Sequence, residues 1–174
     1  AILEAARQVF MAHGYAGFTM RKVAAEAAIS VGNLHYYYRN KEDLLRDMLD
    51  FVVSHYLEEI DNRRRRAGEA PDEQLAAIIS FLVEDLNRVS TTRFFPELWA
   101  LANHDAYAAE LTENMYARAR APMCELIGRM RPDLAAHECE EIAMLIGAAI
   151  EGLTMFVGHD KPWAGHVPAV RDLT

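Results

Sequence analysis

From the N-terminus the apolar residues Ile2, Ala5, Ala6, Val9 and Phe10 recur at helical spacing, which predicts a helix over residues 2–12 that Gly14 closes. Val23, Ala24 and Ala27 give one inward side to a second helix over residues 20–28, with Thr19 as its cap. Ser30 caps a third, short helix in which Ile29 and Leu34 pack inward and Asn33, His35, Tyr36 and Tyr37 point elsewhere. Asn40 caps a fourth that opens Lys41-Glu42-Asp43, and its stripe of Leu44, Leu45, Met48, Val52, Tyr56 and Ile60 runs on for about six turns. Arg63 to Arg66 end that helix. At 1.5 Å per residue Arg63 lies about 33 Å from Lys41, so the run reads as a solvated helix end favoured by the macrodipole.

Gly68 to Pro71 makes the one clear linker, and Pro71 and Asp72 begin a fifth helix with Leu75, Ile78, Ile79, Leu82, Val83, Leu86 and Val89 on one face. The densely aromatic stretch Arg93 to Leu101 follows. A long helix is expected over residues 105–130, with Leu111, Met115, Ala119, Leu126 and Ile127 inward, a kink at Pro122 and a stop at Pro132. The last strong helix covers residues 135–157 and is apolar nearly all round after Glu141, so it must be buried on more than one side. Residues 158–174, with Gly158, Pro162, Gly165 and Pro168, read as irregular. The pattern predicts an all-α protein without repeats or low-complexity segments.

Composition supports a helical globular chain that can bury a core: 174 residues, 52% hydrophobic, with few glycines and prolines. Cys124 and Cys139 have neither disulfide-framework nor metal spacing, which fits a reducing cytoplasm. No signal peptide is visible, and the longest apolar run, interrupted at Glu151, is too short for a bilayer. The chain starts without Met and already inside a helix, so a preceding segment is expected. The net charge of −8 is unevenly spread. Residues 1–50 hold six Lys/Arg against six Asp/Glu, and residues 51–174 hold twelve against twenty.

That distribution matters because residues 19–41 form a helix-turn-helix pattern. Ala24 is small where two helices cross steeply, and the third helix would enter a DNA major groove by its N-terminal end. Asn33 can pair with adenine N6 and N7, Val31 can sit on a thymine methyl, and Gly32 permits close approach. Tyrosine hydroxyls and Lys41 suit phosphate oxygens. The candidate DNA-contacting residues are Thr19, Arg21, Ser30, Val31, Gly32, Asn33, His35, Tyr36, Tyr37 and Lys41. A head without net positive charge must depend on pairing with a second head for affinity.

Residues 2–46 resemble the DNA-binding domain of the tetracycline-repressor (TetR) family of bacterial transcription regulators. The resemblance rests on Phe10, Gly14, Phe18, Thr19, Val23, Ala24, Ala27, Ile29, Ser30, Gly32, Leu34, Tyr37, Lys41, Glu42, Leu44 and Leu45 at the family's spacing. Ala28 replaces the usual turn glycine, where a left-handed backbone would cost roughly 1 kcal/mol. Asn33 replaces Thr and His35 replaces Tyr on the expected DNA face. Tyr38 replaces Phe and brings a hydroxyl that needs a partner. The resemblance implies a DNA-binding domain at 1–46, an effector-binding and dimerisation domain at 47–174, and a cytoplasmic homodimer on a near-palindromic operator.

It also implies release by a small effector, which the crowded rings suggest is largely apolar. Phe81, Phe94, Phe95, Trp99, Met115 and Tyr116 are the candidate lining, with Asn103 and His104 to orient the ligand. The two long C-terminal helices would form a four-helix bundle with their copies, through Leu126, Ile142, Leu145, Ile146, Gly147, Ala149, Ile150, Gly152 and Leu153. No catalytic motif of the common hydrolase, phosphate-loop or di-iron types occurs. His137, Glu138, Cys139, Glu140 and Glu141 read as a solvated first turn rather than a metal site, and His104 with Asp105 as a cap. No cofactor or metal is expected. The alternative is an all-helical enzyme or interaction module that carries the pattern by accident.

Overall fold

The structure, a computed structural model, describes residues 1–172. Among them there are helices and connecting turns but no strand. They group into two compact units, one formed by Ala1–His55 with Arg93–Glu113, the other by Tyr56–Thr92 with the chain from Asn114 onward.

In the first unit α1 (Ile2–Gly17) is interrupted at Gly14, whose φ of 60° is the left-handed turn that ends its regular part. A β-carbon at Gly14 would lie 2.6 Å from Glu97 Oε2, a contact that a flexible carboxylate can relieve, so it is the backbone conformation that favours glycine there. α2 (Met20–Glu26) starts at Thr19, whose hydroxyl accepts from Lys22 N–H, and α3 (Val31–Tyr37) starts at Ser30, which accepts from Asn33 N–H at 3.0 Å. α2 stops two residues earlier than its pattern suggests because Ala28 takes φ 56°, the left-handed conformation that a glycine would adopt without strain. Asn40 Oδ1 accepts from Asp43 N–H at 2.7 Å and opens α4 (Lys41–Arg66). Phe10, Phe18, Val23, Leu34, Leu44, Met48 and Leu49 are buried, and Phe94 and Leu98 of α6 (Val89–Ala102) join that core.

The second unit takes the end of α4, then α5 (Pro71–Asp85), much of α7 (Ala106–Met130), and α8 (Ala136–Val157). On α4 Leu44, Leu45, Met48 and Ile60 are buried as their spacing predicts, but between them Leu49, Val53 and Leu57 are buried while Val52 and Tyr56 are half-buried, so the middle of the expected stripe shifts by one position. Arg63 pairs with Glu59 at 2.8 Å, Arg65 with Asp61 at 3.1 Å, and Arg64 with Asp61 and Glu125, both at 3.4 Å. Val89 does not extend the buried face of α5; it is exposed and begins α6. The aromatic stretch is helical throughout despite Pro96.

Asp105 Oδ1 accepts from Ala108 N–H and caps α7. Glu138 Oε2 accepts from Ala135 N–H at 2.7 Å, so the first acid of the His137–Glu141 cluster closes the start of α8. Beyond α8, residues 158–163 are turns and bends as expected, but a 3-10 turn, Ala164–His166, leads into α9 (Val167–Arg171), which has Pro168 in its first turn and packs on α5 with Arg171 beside Glu84; residues 173–174 of the stretch expected to be irregular lie outside the described residues.

Candidate nucleic-acid interface and effector site

Within α3 only Leu34 is buried. Val31, Gly32, Asn33, His35, Tyr36 and Tyr37 all face solvent, Tyr36 to 83% and Tyr37 to 61%, with the two rings edge to face at 5.2 Å. A β-carbon at Gly32 would meet nothing closer than Ser30 Oγ at 3.9 Å, so no neighbour inside the protein demands glycine. The absent side chain leaves room for something outside. Thr19 and Arg21 are exposed on the preceding helix, and Lys41 is half-buried with Nζ 3.8 Å from the centre of the Tyr15 ring. Tyr38, by contrast, turns inward and its hydroxyl donates to Asp47, so the extra oxygen has its partner. The ten residues expected at DNA lie within residues 19–41, and all but the half-buried Lys41 are exposed.

The residues expected at an effector divide between the units. In the first, Phe94 and Phe95 are buried and stack edge to face at 5.5 Å, Phe94 lies 5.6 Å from Phe10, and Trp99 is half-buried. Asn103 and His104 are exposed, and Asn103 Nδ2 donates to Trp99 O of its own helix. Phe94 and Phe95 therefore serve the core around α1, and Asn103 and His104 are not aimed into an interior. In the second unit Phe81 and Met115 are buried and Tyr116 is half-buried. Tyr116 hydroxyl donates to Glu151 Oε1 at 3.0 Å, Tyr56 lies 5.9 Å from Phe81, and the Arg63 guanidinium sits 5.2 Å from that same ring. Burial pushes the Glu151 carboxyl above its usual range, with the Tyr116 hydrogen bond only partly opposing it.

α8 shows one buried side, with Cys139, Ala143, Ile150, Thr154 and Val157, and one open side. On the open side Ile142, Met144, Leu145, Met155 and Phe156 are exposed, Leu145 to 69%, and β-carbons at Gly147 or Gly152 would meet nothing within 4 Å. Ala149 is exposed and Ile146 and Leu153 are half-buried, whereas Leu126 and Ile150 are core residues of their own subunit and offer no surface. A helix apolar nearly all round thus keeps an uncovered apolar side in one chain.

Residues 2–48 match the family described as "Bacterial regulatory proteins, tetR family", and residues 71–170 match "BetI-type transcriptional repressor, C-terminal". The chain belongs to the TetR family. It is a DNA-binding transcriptional regulator. Among curated relatives, the HTH-type transcriptional regulator BetI of Stenotrophomonas maltophilia is 27% identical over 80% of this chain and 70% of that protein. A TetR transcription regulator from Haloarcula marismortui shares the fold with a TM-score of 0.78, at 21% identity over 99% of this chain and 91% of the other. A transcriptional regulator from Saccharomonospora viridis, solved in complex with choline, does so with a TM-score of 0.76, at 20% identity over 98% and 91%. TetR regulators bind operator DNA and act as dimers with small-molecule effectors.

The sequence reading of this TetR regulator missed Tyr56, Asp85 and Glu151 as a group. Tyr56 was placed on an apolar stripe and Glu151 was only the charge that interrupted an apolar run. Asp85 is 4% exposed, accepts from the Thr91 hydroxyl and pairs with Arg88 at 3.1 Å, and burial raises its pKa. The Tyr56 hydroxyl is raised well above its ordinary range by burial, then by the charges of Asp85 and Glu151. An acid in the middle of an otherwise apolar helix was the available signal, since such a residue is costly unless something compensates it. Among the described residues no group of three or more His, Cys, Asp or Glu is placed to hold a metal, and no helix is long and apolar enough to cross a membrane.

Proposed function

We propose that this TetR regulator represses transcription in the cytoplasm as a two-fold dimer on a near-palindromic operator, and that a small effector bound in the second unit releases it. Residues 1–46 read DNA and the remainder pairs and responds. One observation carries the reading: α3 is capped, held by a single buried leucine, and exposes Val31, Gly32, Asn33, His35, Tyr36 and Tyr37 with no internal role for their side chains. Asn33 is the base-reading amide, and Thr19, Arg21, Ser30, Lys41 and the tyrosines hold phosphates. A single head reads too few base pairs to find a site in a genome, so two are needed. The uncovered side of α8, with Ile142, Leu145, Ile146, Gly147, Ala149, Gly152 and Leu153, supports pairing there.

For the effector, the support is Phe81, Met115 and Tyr116 together with Tyr56 and Glu151. Rings beside a half-buried carboxylate suit a small, largely apolar molecule with a cationic end. Glu151 accepts from the Tyr116 hydroxyl, and its burial gives a cationic end a carboxylate that water only partly screens. Choline, a molecule of that type and the one held by the Saccharomonospora viridis protein, is the first probe. The test is selection of duplexes from a randomised DNA pool by the purified protein, with sedimentation of the complex. Enrichment of a two-fold sequence bound by two chains is expected; recovery of no sequence above background would reject the reading.

A further inference from the structure

The compact unit that contains the helix-turn-helix does not stop at α4: Arg93–Glu113, the corner where α6 turns into α7, belongs to it. Two kinds of tie hold the corner. One is apolar, a row of rings in which Phe95 meets Phe94 at 5.5 Å, Phe94 meets Phe10 at 5.6 Å and Phe10 meets Phe18 at 6.3 Å, immediately before the Thr19 cap. Ring contacts of this kind tolerate sliding.

The other tie is directional. Tyr107, in the first turn of α7, donates its hydroxyl to Asp50 Oδ2 at 2.6 Å, and the Arg46 guanidinium sits 5.0 Å from the centre of its ring. Arg46 and Asp50 are one turn apart on α4, so they grip the ring and the hydroxyl of one side chain. Burial, then the Asp50 carboxylate, push the Tyr107 hydroxyl far above its ordinary range, so it remains a donor at every working pH. Only three residues separate the end of α3 from the start of α4, and the setting of α4 therefore carries that of the recognition helix.

Resting on the regulator reading above, we propose that Tyr107 is a positioning residue for operator binding: its hydrogen bond to Asp50 fixes the first turn of α7 on α4, and so sets the recognition helix without touching DNA. Nothing in Arg46, Asp50 or Tyr107 falls within residues 19–41, which contain the candidate contacts. The latch acts through preorganisation of α4, whose loss is felt as weaker binding with unchanged base preference.

The test uses full-length Tyr107→Phe, Asp50→Ala and the double variant on a duplex that the wild type selects from a random pool, read by fluorescence anisotropy at fixed salt. Each single variant is expected to bind about five- to tenfold more weakly, and the double no more weakly than the weaker single, because both remove one bond. Active fraction from stoichiometric titration, base preference and the salt slope are expected to stay at wild-type values; a merely destabilised protein would lose active fraction, and a direct phosphate contact would lower the salt slope. Unchanged or tighter binding, additive losses, or a lower salt slope overturns the proposal. Asp50 is exposed, so Asp50→Ala decides the matter should Tyr107→Phe fold poorly. If the wild type selects no duplex, the regulator reading falls and takes this one with it; if it selects one that the variants bind equally well, only this inference falls.

Discussion

Asn33 has its backbone N–H committed to Ser30 Oγ and its side chain exposed, so the amide is offered outward from a fixed helical start. Replacing it with Ala is expected to cost about 1–3 kcal/mol at one operator position and to relax preference there. Lys41→Ala is expected to weaken all sequences alike; competition with single-base operator variants at constant salt distinguishes the two patterns, and an unaltered preference in Asn33→Ala would refute the docking. Glu151 is the opposite kind of residue, polar and turned inward. Its folded pKa is raised above the ordinary 4.5, so the folded state binds the proton more tightly than the unfolded chain. Stability then falls as pH rises above 4.5 through the raised value, and the full cost is present beyond it. Glu151→Gln, which keeps an acceptor for Tyr116, is expected to be more stable than wild type near neutrality, with the gap closing towards pH 4, and to bind choline more weakly. Thermal melts across pH and a choline titration check both; a gap that widens on acidification contradicts the assignment. Residues whose role is local were legible in the sequence: Thr19, Ser30, Asn40 and Asp105 each cap the helix their residue type announces. Tyr56, Asp85 and Glu151 were not, because their burial depends on helices far apart in the chain.

At the scale of elements, periodicity located the long helices well and their edges less well, and it gave neither α6 nor α9 as a helix. On α4 two adjacent stripes, Val52 with Tyr56 and Val53 with Leu57, are equally apolar, and spacing alone cannot choose which one tertiary packing covers. Within α6 Pro96 removes only one helical donor, and burial of Phe94, Phe95, Leu98 and Leu101 outweighs that loss. The open face of α8 carries the element-scale prediction. Gly152 leaves flat ground beside Leu145 and Phe156, where another helix can come close, and Gly147, on the flank that carries the exposed Met144, also has open space around it. Gly147→Leu or Gly152→Leu adds bulk where the subunit itself has open space, so the fold is expected to survive while the dimer splits or distorts. Sedimentation velocity with a parallel far-UV melt measures this; two unaffected dimers would move the interface off that face.

At the scale of the whole molecule the effector and the operator are two ligands of one equilibrium. A ligand that prefers one packing of the second unit can release DNA only by the ratio of its affinities for the two states, and it shifts nothing if those are equal. Reciprocity then fixes a second measurement: if choline weakens operator binding by some factor, saturating operator must weaken choline binding by that factor. For coupling of the usual 1–3 kcal/mol the factor is roughly 5- to 150-fold, well within reach of calorimetric titration with and without DNA. Glu151→Gln is expected to reduce choline affinity in both titrations and to leave operator affinity without choline near the wild-type value, because Glu151 belongs to the second unit and α3 to the first. Choline that binds with the same affinity whether or not operator is present would show that the site around Phe81, Tyr116 and Glu151 does not control DNA binding, and would reject the release mechanism for that ligand.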